Sequence, residues 1–124
     1  MSNSLKNKAV SFLQLVATGE VREGYRRYVS PDFRHHNPYF RGDAKSLILA
    51  MEENAGENPN KTLQVKHVVE EGDLVMIHSH IKQKQDDPGA AVVHIFRFHD
   101  DFIVEMWDVG QPIPENSPNE NGAF

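Results

Sequence analysis

The sequence predicts an α+β fold in which helices precede an antiparallel sheet. Apolar residues recur at helical spacing over residues 4–51 and alternate with polar ones from residue 63 onward. Strong turn signals, such as Asp86-Asp87-Pro88-Gly89, divide the later part into four consecutive strands joined as hairpins. Because no internal repeat or linker interrupts residues 1–124, we expect a single domain with helices wrapped on one side of a curved sheet.

Three helices are predicted before the sheet. The first covers residues 4–18 and ends at Gly19, because glycine favours the left-handed conformation of a C-terminal cap. The second covers residues 20–29 and stops before Pro31. Residues 33–43, with the sequence FRHHNPYFRGD, are expected to form the loop that follows.

The third helix is expected to begin after Asp43, whose carboxylate can cap free backbone amides, and to end at Gly56 and Asn58-Pro59. The predicted strands are 63–70, 74–84, 90–99 and 103–109. Residues 110–124 contain three prolines and three asparagines, so we expect an irregular tail. A curved sheet of this kind can leave an internal pocket between its concave face and the helices.

Composition narrows the possible functions. A net charge of −5 argues against a nucleic-acid partner, because phosphate binding requires a basic surface. The absence of cysteine excludes disulfides, thiolate nucleophiles and cysteine-bound metals. The N-terminal stretch has no continuous apolar run, so we expect no signal peptide, no membrane partner and a cytoplasmic protein.

Strand alternation identifies a candidate polar pair. In the last two strands the even-numbered residues are mostly apolar, and we expect this set to face inward: Val92, His94, Phe96, Phe98, Phe102, Val104, Met106 and Asp108. The polar exceptions are His94 and Asp108, which a turn centred on Asp101 would bring opposite each other. A lone carboxylate on an apolar face is unfavourable unless it is paired or protonated, so both residues are site candidates.

The orientation of strand 74–84 stays open. Its even-numbered set contains His78 and His80, whereas its odd-numbered set, which includes Val75 and Ile77, is more apolar and competes for the inward face.

Several segments resemble the SnoaL-like polyketide cyclases, which belong to the nuclear-transport-factor-2-like superfamily together with the ketosteroid isomerases. They are "HNP" after the second helix, "GDLVMIHSH", "FRF", "IVEMWDVGQPIPE" and the closing "NENGAF". The resemblance covers nearly the whole chain, and its most specific part is the "WDVGQP" segment. It implies a cone-shaped α+β fold with a deep, mostly apolar pocket, no cofactor and a homodimer. The chain departs from the family pattern at His94, often acidic, and at Met106, often histidine.

The resemblance also implies roles for individual residues. Asp108 would be the general acid and base, and His36 would stand at the pocket mouth, polarising a substrate carbonyl or pairing with Asp108. The alternative for Asp108 is a strand-end carboxylate that binds backbone amides, and for His36 a loop histidine bonded to the backbone. His94 is either a second proton-transfer group or a core histidine whose hydrogen bonds are satisfied.

Further pocket residues complete the expected site. The expected substrate-binding residues are Tyr39, Phe40, His78, His80, Phe96, Met106 and Trp107. Trp107 has the alternative of packing under the helices or at a subunit interface. His78 and His80 could bind a metal together with His94 and Asp108, but the sequence shows no residues that would orient such ligands, and the family rarely uses metals, so we predict none.

The sequence therefore predicts an enzyme that transfers protons next to a carbonyl of a small hydrophobic substrate, in a cyclisation, isomerisation or dehydration. The alternative is a non-catalytic module of the same fold that binds a small ligand or serves for dimerisation. A homodimer is also expected, because an outward-facing apolar set with Ile95, Ile103 and Trp107 would otherwise be partly exposed.

Overall fold

Three helices and five strands make up the part of the chain that the computed structural model describes, residues 4–124. The elements are α1 (Leu5–Ala17), α2 (Val21–Tyr28), β1 (Val29–His35), α3 (Ala44–Glu57), β2 (Thr62–Glu71), β3 (Leu74–Lys82), β4 (Ala90–His99) and β5 (Phe102–Pro112). None of the described helices combines the length and the apolar character that crossing a membrane requires.

The helix boundaries follow from caps that the sequence contains. Gly19 adopts φ +92° after α1, in the left-handed region that the predicted cap requires. Asp43 caps α3 by accepting a hydrogen bond from the backbone N–H of Ser46 at 3.0 Å. Gly56 does not end α3 as expected; the helix runs through it to Glu57 and is capped by Asn58.

The sheet has the strand order β1-β5-β4-β3-β2. Strands β2 to β5 form the predicted antiparallel hairpins, whereas β1 pairs in parallel with β5. The sequence analysis missed β1 because it assigned Val29 to a helix end and residues 33–35 to a loop. Pro31 within β1 is compatible with an edge strand, where one face of the backbone needs no donor. The predicted α+β class, with helices on a curled and mostly antiparallel sheet, is confirmed.

A bulge in β5 decides which of its residues face the helices. The turn at Asp100 and Asp101, both at positive φ, pairs His99 with Phe102. The register then shifts by one residue of β5, because Phe98 pairs with Ile103 whereas Arg97 pairs with Glu105.

The consequence is a change of face along β5. Ile103 is fully buried and Phe102 is 44% exposed, which is the reverse of the expected alternation at both positions. Beyond the bulge, Met106 and Asp108 are on the inner face as predicted, with Asp108 opposite His94. If the same residues alternated regularly from Ile103 onward, without a bulge, Asp108 would point to the outer face.

Aromatic side chains from the helices and the sheet form the core. The ring of Phe12 in α1 meets Tyr25 in α2 and Phe96 in β4 edge to face, with centroids 5.2 and 5.8 Å apart. Val75 and Ile77 are fully buried, so β3 turns its odd-numbered residues inward. This resolves the alternative that the sequence left open and places His78 and His80 on the outer face.

The tail begins later than predicted, because β5 extends to Pro112. Residues 113–124 contain no helix or strand, as expected for the irregular tail. The ring of Phe124 lies on the outer face, 5.3 Å from the His78 ring and 4.8 Å from the His80 ring, with the Lys66 ammonium 5.0 Å from its centroid.

Candidate active site

A cavity of about 540 Å³ lies between the inner face of the sheet and helices α1 and α3. Its wall is mostly apolar and includes Leu13, Val16, Leu47, Met51, Leu63, Ile81, Val92 and Pro112. Polar side chains also line it, from the strands, from helix α3 and from loops: Asn37, Asn54, Lys61, Gln83, Asp87, His94 and Asp108. The volume is in the usual range for small-molecule sites, about 300–1,000 Å³.

His94 and Asp108 are cross-strand partners on this wall, as the sequence predicted. His94 is only 8% exposed, and its Nδ1 is buried without a hydrogen-bond partner among the described residues. Burial lowers the pKa of His94 to about 4, against the opposing effect of Asp108, while the charge of Lys61 acts in the same direction as burial. At neutral pH the imidazole is therefore neutral, and one of its nitrogens faces no group of the described chain.

Asp108 is held by the loop that follows β1. The side-chain Nδ2 of Asn37 donates to the Oδ2 of Asp108 at 3.1 Å, and the Oδ1 of Asn37 accepts from the backbone N–H of Tyr39 at 3.0 Å. Asn37 thus orients the carboxylate while its own amide is fixed by the turn. This side-chain contact differs from the backbone contacts proposed as the alternative for Asp108.

The buried histidine of this loop is His35, not His36. His35 is 4% exposed, its Nε2 lies 2.6 Å from the carbonyl oxygen of Arg41, and its Nδ1 accepts from the backbone N–H of Asn37 at 3.1 Å. Because a carbonyl can only accept, Nε2 carries the proton and the ring is neutral. His35 therefore fixes the conformation of the loop that presents Asn37 to Asp108.

His36 is on the opposite face of the sheet, which corrects its expected position at the pocket mouth. Its Nε2 lies 2.6 Å from the Oε2 of Glu105, and its ring stacks on Trp107 with centroids 5.0 Å apart. Arg34 binds the same carboxylate through two contacts of 3.2 Å, and hydrogen bonds from His36 and Arg34 lower the pKa of Glu105. Adjacent residues at a strand end point to opposite faces, and β1 was not recognised from the sequence.

Of the expected substrate-binding residues, only Phe40 lines the cavity. Tyr39 is 86% exposed outside it, and Phe96 and Met106 are buried in the core without contributing to the cavity wall. Trp107 is on the outer face, in line with the subunit-interface alternative and not with ligand stacking.

His78 and His80 also lie outside the cavity, because β3 presents its odd-numbered residues to the core. The Nδ1 atoms of His78 and His67 are 3.0 Å apart, and the Nε2 of His80 is 2.8 Å from the carbonyl oxygen of Pro88. Within residues 4–124, no three histidine, aspartate or glutamate side chains converge as a metal ion would require.

Five polar residues of the cavity were not predicted from the sequence: Asn37, Asn54, Lys61, Gln83 and Asp87. Lys61 donates to the Oδ1 of Asn54 at 2.7 Å, and burial lowers the pKa of its ammonium group. A signal for Lys61 existed, because it shares strand parity with Leu63 and Val65, which pack against the core. Gln83 directly follows β3 and shares the parity of Ile77 and Ile81, but the sequence left open which set of that strand faces inward.

The phenol of Tyr25 is close enough to Asp108 to be affected by its charge. Burial raises the pKa of Tyr25, and the charge of Asp108 raises it further, so the phenol stays protonated. Its hydroxyl donates to the sulfur of Met51 at 3.5 Å. The site thus combines a carboxylate, a neutral imidazole and an ammonium group within a largely apolar enclosure, which suits reactions in which a proton moves and negative charge develops on oxygen.

Comparisons with known proteins agree with this architecture. A family model described as the SnoaL-like domain matches residues 9–106, which confirms the resemblance inferred from the sequence. No curated protein sequence is significantly similar to the chain.

Solved structures show the same fold. An NTF2-like protein of unknown function from Cytophaga hutchinsonii superposes with a TM-score of 0.72 at 16% identity, over 90% of this chain and 94% of that one. IdmH from Streptomyces antibioticus, a proposed polyketide cyclase, gives 0.69 at 19% identity, over 87% and 92%. AclR from Streptomyces galilaeus, a proposed hydroxylase, gives 0.68 at 23% identity, over 87% and 91%. At such identities the similarity establishes the fold alone.

Proposed function

The chain belongs to the SnoaL-like family, and we propose that it catalyses cofactor-independent proton transfer next to a carbonyl group of a small hydrophobic substrate. The observation that supports this most is that His94 and Asp108 are cross-strand partners on the wall of a largely apolar cavity. A carboxylate can remove a proton there, and a neutral imidazole can donate a hydrogen bond to a substrate oxygen.

In the proposed reaction, the carboxylate of Asp108 removes a proton from the carbon next to the substrate carbonyl. The electron pair of the broken C–H bond becomes the enolate, whose oxygen accepts a hydrogen bond from a ring N–H of His94. Asn37 keeps the carboxylate of Asp108 oriented during this step. A neutral imidazole is suited to this task, because it donates a hydrogen bond without titrating near neutral pH.

Three outcomes are open to the enolate. Asp108 can return the proton to a different carbon, which is an isomerisation. Alternatively, the enolate carbon attacks a second carbonyl of the same substrate, whose oxygen then takes the proton from Asp108, which is an aldol cyclisation. Loss of that hydroxyl as water, with a proton from a neighbouring carbon, completes a dehydration. Each route starts with the same proton abstraction, so one assay tests them together.

The assay is exchange of α-protons for deuterium in small cyclic ketones and 1,3-diketones dissolved in D₂O, followed by NMR. We expect the protein to accelerate exchange, and Asp108→Asn to reduce the acceleration by roughly 10²–10⁴-fold. Asp32→Asn is the matched control, because Asp32 is an exposed strand aspartate outside the cavity. Equal exchange with wild type and Asp108→Asn across the panel would rule out the catalytic assignment.

Unfolding measurements on the same samples separate catalysis from structure. An asparagine keeps the shape of Asp108 and can still accept from Asn37, and it removes the desolvation of a charge, so stability should be unchanged or higher. The alternative function is a non-catalytic ligand-binding module, in which Asp108 serves only to hold the Asn37 loop. That function predicts a loss of about 1–3 kcal/mol in Asp108→Asn with no change in ligand binding.

We also propose a homodimer formed through the outer face of the sheet. On this face Val69, Met76 and Val109 are 58%, 43% and 63% exposed. Trp107 and Ile95 lie between them as cross-strand partners. The expected contribution of Ile103 is withdrawn, because that side chain is buried within the monomer. Light scattering should give a dimer for wild type and a monomer for Val109→Glu; a wild-type monomer at micromolar concentration would refute the proposal.

A further inference from the structure

We propose that the ligand of the cavity is a hydrophobic carboxylate whose anionic group binds to Lys61. This inference adds a substrate class to the proposed function. Only the statement that the ligand is a substrate rests on the proposed function; the binding of a carboxylate does not. Three observations support the inference. Lys61 has no carboxylate partner in residues 4–124, its ammonium group has N–H donors left for a ligand, and the other charged groups of the cavity limit the charge of that ligand.

Lys61 is a cation without a carboxylate partner in residues 4–124, although it is partly buried and lines the cavity. Arg22 and Arg97, by comparison, each contact a carboxylate at the surface. The hydrogen bond that the ammonium of Lys61 makes is to the neutral Oδ1 of Asn54, at 2.7 Å. A buried charge is unfavourable unless it is paired, so this arrangement is most stable when an anion occupies the cavity.

The hydrogen-bonding capacity of Lys61 leaves room for such an anion. An ammonium group has three N–H donors, and Asn54 accepts from one of them. The same cavity wall carries apolar side chains such as Leu63, Ile81 and Val92, so a ligand with an anionic head and an apolar body matches the lining.

The other charges in the cavity restrict the anion to a singly charged one. Asp87 and Asp108 both line the same space, and neither arginine nor a second lysine does so in the described chain. A phosphate group would place about two negative charges beside these carboxylates, with a single cation to balance them. A carboxylate adds a single negative charge, which the ammonium of Lys61 can pair directly.

Lys61 is also close enough to the reacting pair to influence it. Its charge is one of the causes that lower the pKa of His94. A carboxylate bound to Lys61 would share the cavity with the His94–Asp108 pair, with its apolar body against the wall. A keto acid bound in this way would present a carbonyl to His94.

Binding of a matched pair of probes tests the proposal without any turnover. The probes are 2-naphthoate and 2-naphthamide, which share an apolar body and differ in charge, and calorimetric titration gives Kd for each. We expect the wild type to bind 2-naphthoate about tenfold more tightly than 2-naphthamide, and Lys61→Gln to lose this preference. The control Lys84→Gln should keep it, because Lys84 is exposed near the cavity and does not line it.

The result that would overturn the proposal is equal affinity of the wild type for the two probes, or a preference that Lys61→Gln retains. A 2-naphthol arm separates carboxylate binding from stabilisation of an enolate. If Lys61→Gln weakens 2-naphthol but leaves 2-naphthoate unchanged, Lys61 serves the enolate and the proposal fails. Lys61→Met is a second variant should Lys61→Gln not fold, because it keeps the aliphatic stem and removes the charge.

The two proposals fail in distinguishable ways. A charge preference that depends on Lys61, together with no α-proton exchange by the wild type, leaves the carboxylate site and removes the catalytic function. Exchange that depends on Asp108, together with equal affinities for the two probes, leaves the catalytic function and removes the carboxylate site.

Discussion

The two faces of the sheet differ in how their polar side chains are satisfied. On the outer face, the carboxylate of Glu105 is covered by Arg34 and His36, and its contacts account for both oxygens. On the inner face, the Nδ1 of His94 has no partner in the described chain, and Lys61 has a neutral one. Polar groups that the chain itself satisfies maintain the fold, whereas Lys61, which lines the cavity and has a neutral partner, is available to a ligand.

The largest effect on stability that this comparison predicts is the pH dependence caused by His94. Its pKa is lowered from 6.5 to about 4 in the folded chain. The unfolded chain therefore binds a proton as the pH falls below about 6.5, whereas the folded chain binds it only near pH 4, so the free energy of unfolding decreases across this window. A difference of this size corresponds to roughly 3 kcal/mol.

Urea unfolding at pH 7 and at pH 4.5 measures this effect. Wild type should lose more stability between the two pH values than His94→Gln, because glutamine does not titrate. His99→Gln is the control, since the side chain of His99 is 77% exposed and the variant should behave as wild type. The same loss in wild type and His94→Gln would mean that His94 is hydrated in the folded protein.

On the outer face, removal of the charge of Glu105 should reduce the stability of the fold. Glu105→Gln leaves Arg34 and His36 facing a neutral amide, and we expect a loss of about 1–2 kcal/mol, because both partners are partly solvated. This contribution is present above the unfolded pKa of the carboxyl group and is lost as the pH falls through its lower folded pKa. Glu53→Gln, at an exposed helix position, is the control.

α-Proton exchange should be the same in Glu105→Gln and in wild type, because Glu105 does not line the cavity. A loss of exchange without a loss of stability would contradict the separation of the two faces.

Lys61→Met should have a smaller effect and should increase the free energy of unfolding. Removing a partly buried charge whose described partner is neutral relieves its desolvation, and methionine retains the apolar contacts of the stem, so a gain of up to about 1 kcal/mol is expected. Thermal unfolding without ligand measures this, with Lys84→Met as the control. A decrease would mean that the bond to Asn54 stabilises the fold by more than the charge destabilises it.

How much of the site could be predicted depended on whether a strand was recognised. The facing of His94 and Asp108 followed from the β4–β5 hairpin, although a bulge was needed to bring them together. His36 was placed on the wrong face because β1 contains a proline and polar residues, so its alternation is not visible in the sequence. Its parallel pairing with β5 depends on contacts between residues more than 70 positions apart, such as Arg34 and Glu105.

Lys61 illustrates a different limit. Its strand parity was readable, but a lysine stem can carry its ammonium group to solvent from almost any position. In the structure, its ammonium group is bonded to Asn54 of α3 and lines the cavity. The fold class and the family follow from the sequence, whereas the distinction between satisfied and unsatisfied polar groups requires coordinates.

The smallest effect concerns the tail on the outer face. The ring of Phe124 contacts His78 and His80 and lies near the Lys66 ammonium, yet it remains 42% exposed. Because so much of the ring is solvated and no strand pairing involves residues 119–124, we expect their deletion to reduce stability by less than about 1 kcal/mol. Phe96→Ala, which removes a fully buried ring of the inner face, should cost about 3–5 kcal/mol in the same urea titration. A deletion that costs as much as Phe96→Ala would show that the tail is an integral part of the outer face, and the proposed dimer interface would then have to include it.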